Sequence, residues 1–150
     1  MKGKESIFNL NLAELEQVLK SWSRPSFHAK QIFAWIYKKG VKDFEQMNDL
    51  ALDLRKQLRD NFLLSSLKLI KSVSSKDKTE KFLFELSDKN LIEAVIIPAT
   101  KRVTACVSTQ VGCKFGCFFC ASGIFGYRRN LSTAEIIDQC VSQGVNFARD

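Results

Sequence analysis

Apolar positions early in the chain recur at helical spacing. Leu12, Leu15, Val18, Leu19 and Trp22 form one such stripe. Asn11 and Glu14 stand ahead of it as a capping box, each side chain placed to satisfy a free N–H at the helix start. The stretch Ser23-Arg24-Pro25-Ser26 breaks the pattern, and Ser26 is positioned to cap a second helix. Ala29, Ile32, Phe33 and Ile36 make the apolar stripe of that helix, with Gly40 as its C-terminal stop. A short helix over Phe44–Met47 precedes a longer one, in which Leu50, Leu54 and Leu58 are spaced by full turns. The pattern predicts a small helical bundle.

The period then changes. Leu67–Val73, Lys81–Leu86 and Leu91–Ile97 read as strands, divided by the turn-forming SSKDKT and SDKN segments. A fourth strand, Val103–Ser108, follows the break at PATKR. Together they predict an antiparallel meander whose last strand leads into a cysteine-rich loop. After that loop, Ser132 and Glu135 form another capping box, and Ile136, Ile137, Cys140 and Val141 supply the apolar face of a closing helix. The boundary between the helical part and the rest falls near Leu63–Ser66. The expected division is a helical domain over 1–64 and a mixed segment over 65–150. A strand, a loop and a helix are the first unit of an α/β sheet rather than a complete one, so the chain reads as the front part of something longer.

Composition changes this picture little: 45% hydrophobic and 26% charged residues are ordinary for a globular protein. No apolar run approaches the ~18–20 residues that cross a bilayer, and the start, MKGKESIFNLN, lacks the apolar core and cleavage site of a secretory signal. These features point to the cytoplasm, where thiols stay reduced, and five cysteines are an odd number for a closed disulfide framework. The net charge of +7 is spread along the chain. It is compatible with a polyanion such as RNA and equally with a soluble lysine-rich surface.

Chemistry concentrates in QVGCKFGCFFCASG, Gln110–Gly123, where Cys113, Cys117 and Cys120 are spaced C-x3-C-x2-C. Three thiolates on one loop can hold three corners of a metal centre. Structural zinc takes four ligands, commonly as two separated pairs, and here only Cys106 or Cys140 offers a fourth sulfur. A four-iron cluster held by three cysteines leaves one iron open to a cofactor, which accounts for a count of three. Gly112, Gly116 and Gly123 allow the loop the backbone freedom to wrap a bulky group, and Phe119 offers a flat face beside Cys120. The competing readings are a zinc site completed by Cys106 and three buried thiols acting as small hydrophobes.

CKFGCFFC resembles the signature of the radical S-adenosylmethionine enzymes. With FHAKQIFAWIYKKGVKDFEQMNDL, NLIEAVIIP, ACVSTQVG and FGYRRNLSTAEI, the sequence resembles the RlmN/Cfr family of RNA adenine methyltransferases from about Phe8 to Gln139. The fold this implies is α/β, α+β overall: a small N-terminal helical domain for binding RNA, antiparallel connecting strands, then the first β/α unit of a partial (β/α)6 barrel, apparently truncated.

The resemblance assigns roles residue by residue. Cys113, Cys117 and Cys120 would ligate a 4Fe-4S cluster whose open iron binds S-adenosyl-L-methionine, with Phe119 near the adenine of that cofactor. Cys106, seven residues before Cys113, occupies the place of the family's resolving cysteine. That thiol would attack the sulfur linking a methyl-carrier cysteine to the RNA, forming a disulfide and releasing the product. Glu93, in NLIEAVIIP, stands where the family has a glutamate proposed to remove the ring proton. The residues themselves leave Cys106 open to a second reading as a buried strand residue, and Glu93 to one as a charge at a sheet edge. The implied reaction is methylation of an adenine ring carbon, C2 or C8, in ribosomal RNA and, for the RlmN type, transfer RNA. The implied partners are these RNAs and an electron donor such as flavodoxin, with a monomeric enzyme and no membrane.

Other residues read as structural. His28 is placed at a helix start on the surface, and Cys140 packs on a helix face. Arg128 and Arg129 follow the loop and suit either a phosphate or a solvated surface. The family's methyl-carrier cysteine and its further cofactor-binding motif are not among these residues. The rival function is a non-catalytic RNA-binding module with a structural zinc.

Overall fold

A computed structural model describes residues 4–115, 117–124 and 126–144. It divides into two compact units, the first built on residues up to Ser66 and the second spanning Leu67–Gln143.

The first unit is mainly helical. Helix α1 (Leu12–Ser21) begins at a complete capping box: Glu14 N–H donates to Asn11 Oδ1 at 3.0 Å and Asn11 N–H donates to Glu14 Oε2 at 2.8 Å. It buries Leu15 and Leu19. Helix α2 (His28–Phe33) runs on into a wider π turn at Ala34–Lys38, burying Ala29, Ile32 and Ile36. Gly40, at φ +60°, then supplies the left-handed stop. A 3-10 turn at Phe44–Gln46 leads to helix α3 (Leu52–Asn61), which buries Leu54 and Leu58, while Leu50 is buried just ahead of it.

One local expectation is corrected. Phe27, not Ser26, occupies the N-cap position of α2, in helical conformation and without a side-chain cap. Ser26 contributes only its carbonyl, accepting from Ala29 N–H at 3.0 Å, because the turn there is already wound. His28, at the start of α2, is partly exposed, with Nδ1 2.7 Å from Gln31 Oε1. The sequence pattern also did not reveal a two-residue parallel pairing of β1 (Glu5–Ser6) with β2 (Phe62–Leu63). Strands this short carry no readable alternation.

In the second unit, β3 (Lys68–Ser74), β4 (Glu80–Glu85), β5 (Leu91–Ala99) and β6 (Arg102–Cys106) form the antiparallel meander in sequential order. Alternation decides the faces. Phe82, Phe84, Ile92 and Ala94 point to a core completed by Leu86, Val111 and Leu131. Leu91, Glu93 and Ile97 of β5 lie on the exposed face. A short hairpin follows, β7 (Gln110–Val111) with β8 (Arg129–Asn130), and α4 (Ala121–Ile124) lies within the long loop it subtends. Helix α5 (Thr133–Ser142) closes the unit from a complete Ser132–Glu135 capping box.

That helix departs from its apolar pattern. Its buried residues are Ala134, Glu135, Asp138 and Gln139, and the expected stripe of Ile136, Ile137, Cys140 and Val141 is only half-buried. Hydrogen bonds explain the inversion. Ser142 Oγ donates to Asp138 Oδ1 at 3.0 Å and Leu67 N–H to Asp138 Oδ2 at 3.2 Å, so this buried carboxylate is satisfied.

Candidate functional site

The site is built on β5, β6 and the loop from Gly112 to Arg128. Register places two of the sequence-predicted residues on one sheet face. Cys106 pairs with Val95, and Glu93 lies two residues from Val95 on the same strand, so all three share a face. Lys81 also pairs with Val95 and extends that row across a third strand. Its Nζ lies 2.8 Å from Glu93 Oε1. Glu93 and Cys106 are both exposed, so neither is a buried strand residue, and β5 is an inner strand of the meander rather than an edge.

The loop is fastened at its base. Arg128 N–H donates to Val111 O at 3.0 Å, and Leu131 N–H to Thr109 O at 2.8 Å. Gly112 sits at φ +73°, and a Cβ there would meet Gly126 O at 1.7 Å, so no other residue fits. Lys114 Nζ lies 4.5 Å from the centroid of the Tyr127 ring, joining the loop's two ends by a cation–π contact. Within the loop, Cys120 N–H donates to Cys117 O at 3.1 Å and Gly123 N–H to Cys120 O at 2.9 Å.

All five cysteines are free thiols. Cys117 is exposed, while Cys113 and Cys120 are half-buried, so the loop cysteines are not core hydrophobes. The disulfide that the resemblance implies is therefore not present. Cys140 is half-buried on α5, and burial raises its thiol pKa. Phe119 is 81% exposed and meets Phe118 edge to face, at 5.6 Å between centroids. Gly116 lies outside the described residues.

Among the described residues, no three His, Cys, Asp or Glu side chains converge as a metal-ligand group. The fit of a cluster therefore rests on the donor set. Three free thiols on one loop, each at least partly exposed and spaced C-x3-C-x2-C, suit iron–sulfur ligation. A preformed four-sulfur zinc site is not present among the described residues.

A cavity of about 530 Å³ opens where the sheet meets the loop. Its lining includes Glu93, Ser108, Gln110, Gly112, Ala121 and Arg128. Gly112 directly precedes Cys113, and Ala121 directly follows Cys120. Glu93 thus lines a space whose wall includes the residues flanking both ends of the cysteine segment.

Comparison with known proteins fits this arrangement. The family model "Ribosomal RNA large subunit methyltransferase N-terminal domain" matches residues 6–64. A Halalkalibacterium halodurans protein named "Probable dual-specificity RNA methyltransferase RlmN" is 47% identical over 136 residues, covering 91% of this chain and 38% of the relative. The chain is thus similar to RlmN proteins, and its first part to their N-terminal domain. A Staphylococcus aureus protein (strain Newman) of the same name is 43% identical over 139 residues, covering 93% of this chain and 38% of its own length. The crystal structure of a radical SAM methyltransferase from Sphaerobacter thermophilus superposes with a TM-score of 0.87 at 39% identity, over 92% of this chain and 41% of that one. The chain thus spans about two fifths of the length of these RlmN relatives. The mixed helix-and-sheet fold matches that part of a radical SAM methyltransferase.

Sequence reading missed several residues that organise the site. Asp88, in the β4–β5 turn, accepts from Arg129 Nε at 2.7 Å. Glu135 takes the other side of that guanidinium through two bonds of 2.8 Å. These contacts, chiefly the Arg129 hydrogen bond in each case, lower the Asp88 pKa to about 2 and hold Glu135 below its usual value. Arg129 is thereby committed to structure, while Arg128 lines the cavity. The available signal was a polar stripe at 135, 138, 139 and 142, which shares α5 with the apolar one.

Proposed function

We propose that this chain is the N-terminal, cluster-bearing part of a radical S-adenosylmethionine methyltransferase acting on an adenine ring carbon, C2, of ribosomal RNA and transfer RNA. The reading rests on the likeness to RlmN proteins and on one observation: Glu93 lines a cavity whose wall includes the residues flanking Cys113 and Cys120. Cys113, Cys117 and Cys120 would hold a 4Fe-4S cluster. When bound, the cluster and S-adenosyl-L-methionine supply the electron and the methyl group that functionalising an unactivated ring carbon requires.

The chain's own residues do the rest. Phe119 gives an apolar face to the adenine of the cofactor. Glu93 accepts the proton leaving the substrate ring, and its ion pair with Lys81 keeps the carboxylate oriented until substrate arrives. Cys106, exposed on the same sheet face, serves as the resolving thiol toward a carrier cysteine outside these residues. The target base must leave its stack to reach such a cavity. The helical domain over 1–64 and the net charge of +7 suit contacts to the RNA backbone and its shape. The segment from residue 65 would carry the connecting strands and open the barrel. The setting is cytoplasmic, with a monomeric enzyme and an electron donor such as flavodoxin. Among the described residues, no helix is long and apolar enough to cross a membrane.

Anaerobic reconstitution of the parent chain and two variants tests the assignment. Cys117→Ala should abolish iron and sulfide incorporation, whereas Cys106→Ala should leave it intact. Loss of iron on changing Cys106 would make that residue a ligand and overturn its role as resolving thiol.

A further inference from the structure

Helix α5 buries polar side chains along one stripe, and the chemistry proposed above uses none of them. Gln139 is fully buried. Its amide closes a two-way pair with the Ser108 backbone: Nε2 donates to Ser108 O, and Ser108 N–H donates to Oε1, both at 2.9 Å. Nε2 also donates to Glu135 O at 3.1 Å, so the amide is satisfied on both sides. One turn earlier, Glu135 holds the Arg129 guanidinium through two parallel bonds, and its Oε2 also accepts from Ser132 N–H at 2.8 Å.

The two contacts lie on opposite sides of the cysteine loop. Ser108 stands just before β7, where the chain enters the loop, and Arg129 stands in β8, where it leaves. The hairpin between them has only two residue pairs, Gln110↔Asn130 and Val111↔Arg129. So short a ladder fixes a loop base weakly. The buried stripe on α5 supplies the missing constraint. Ser108 Oγ further donates to Glu93 O at 2.7 Å, which ties the same point to the strand carrying the cavity's carboxylate.

We propose that Glu135 and Gln139 are positioning residues that set the two ends of the Cys113–Cys120 loop, so that its three thiols can gather around one metal group. The inference rests on the cluster assignment above. Its basis is an asymmetry: an unsatisfied Ser108 N–H and carbonyl would be costly here, so Gln139 and the Glu135–Arg129 fork hold the points from which the cysteine segment leaves and returns.

The test uses the whole 150-residue chain, reconstituted anaerobically with iron and sulfide. Gln139→Leu removes the Ser108 pair, and Arg129→Lys keeps the charge but loses the fork. Ile136→Ala is the control: it weakens the same helix where Ile136 packs on the apolar core, without removing a hydrogen bond to either end of the loop. Iron loss to a chelator and the spectrum of the reduced cluster are measured beside the melting temperature of the metal-free protein. The expected result is about tenfold weaker iron retention and an altered spectrum for Gln139→Leu and Arg129→Lys. Ile136→Ala should melt lower yet hold iron like the parent. Parent-like retention in both loop variants, or retention that follows melting temperature alone across all three, overturns the proposal. Should Gln139→Leu not fold, Arg129→Lys against Ile136→Ala decides it. A parent that takes up no iron defeats the cluster assignment itself, and this is read before any variant is made.

Discussion

Arg129 and Glu135 face each other through two parallel hydrogen bonds, Nη1 to Oε2 and Nη2 to Oε1, each 2.8 Å long. The third side of the guanidinium meets Asp88 at 2.7 Å. One cation therefore joins the β4–β5 turn, the exit of the cysteine loop and the start of α5. Fork geometry of this kind is specific to arginine.

The second unit should lose stability in acid through this group. The folded-state pKa of Asp88 is about 2, and that of Glu135 is also lowered, in both cases chiefly by the Arg129 hydrogen bonds. Depressed carboxylates stabilise the fold above their unfolded values of about 4. That contribution fades as pH falls from about 4 toward 2. Melting temperature recorded across this range should fall, and Asp88→Asn should flatten part of the slope. An unchanged slope in the variant would remove Asp88 from the account.

Gly112→Ala should disrupt the loop. Left-handed backbone costs a non-glycine residue about 1–2 kcal/mol. The added methyl would also sit 1.7 Å from Gly126 O, a contact with backbone that cannot rotate away. Thermal melts should show a loss beyond that backbone cost, and iron uptake should fall. Gly40→Ala is the comparison: it has a similar φ of +60° with nothing near the new methyl, so only the backbone cost should appear.

The helical unit should respond separately. Leu54 is 1% exposed, and truncating such a side chain typically costs about 2–5 kcal/mol. Leu54→Ala should therefore destabilise the first unit. Hydrogen exchange should show faster amide exchange in α1–α3, with β4 and β5 protected as in the parent. Equal loss of protection in both would mean the two units unfold as one.

What could be read from the sequence follows from how local each signal is. Both capping boxes are a few residues long and self-contained, and both form as read. The meander was legible because turn residues separate runs of apolar and β-branched positions, and its order is sequential. Helix α5 was misread because two stripes share it and hydrophobicity marks only one. Burial of Asp138 and Gln139 depends on hydrogen bonds to Leu67 and Ser108, which are distant in sequence. The Arg129 hub was hidden for the same reason, since Asp88 lies 41 residues away. The three loop cysteines were conspicuous by spacing alone. That Glu93 shares a cavity with the residues flanking them required the sheet register.

The central claim is that three thiolates, and only three, hold a four-iron cluster. The most direct measurement is the metal and sulfide content of the parent chain after anaerobic reconstitution, with X-ray absorption to count sulfur ligands. About four irons and four sulfides per chain, with a spectrum that shifts on adding S-adenosyl-L-methionine, is the predicted result. One zinc per chain bound by four sulfurs, with no iron taken up, would contradict it.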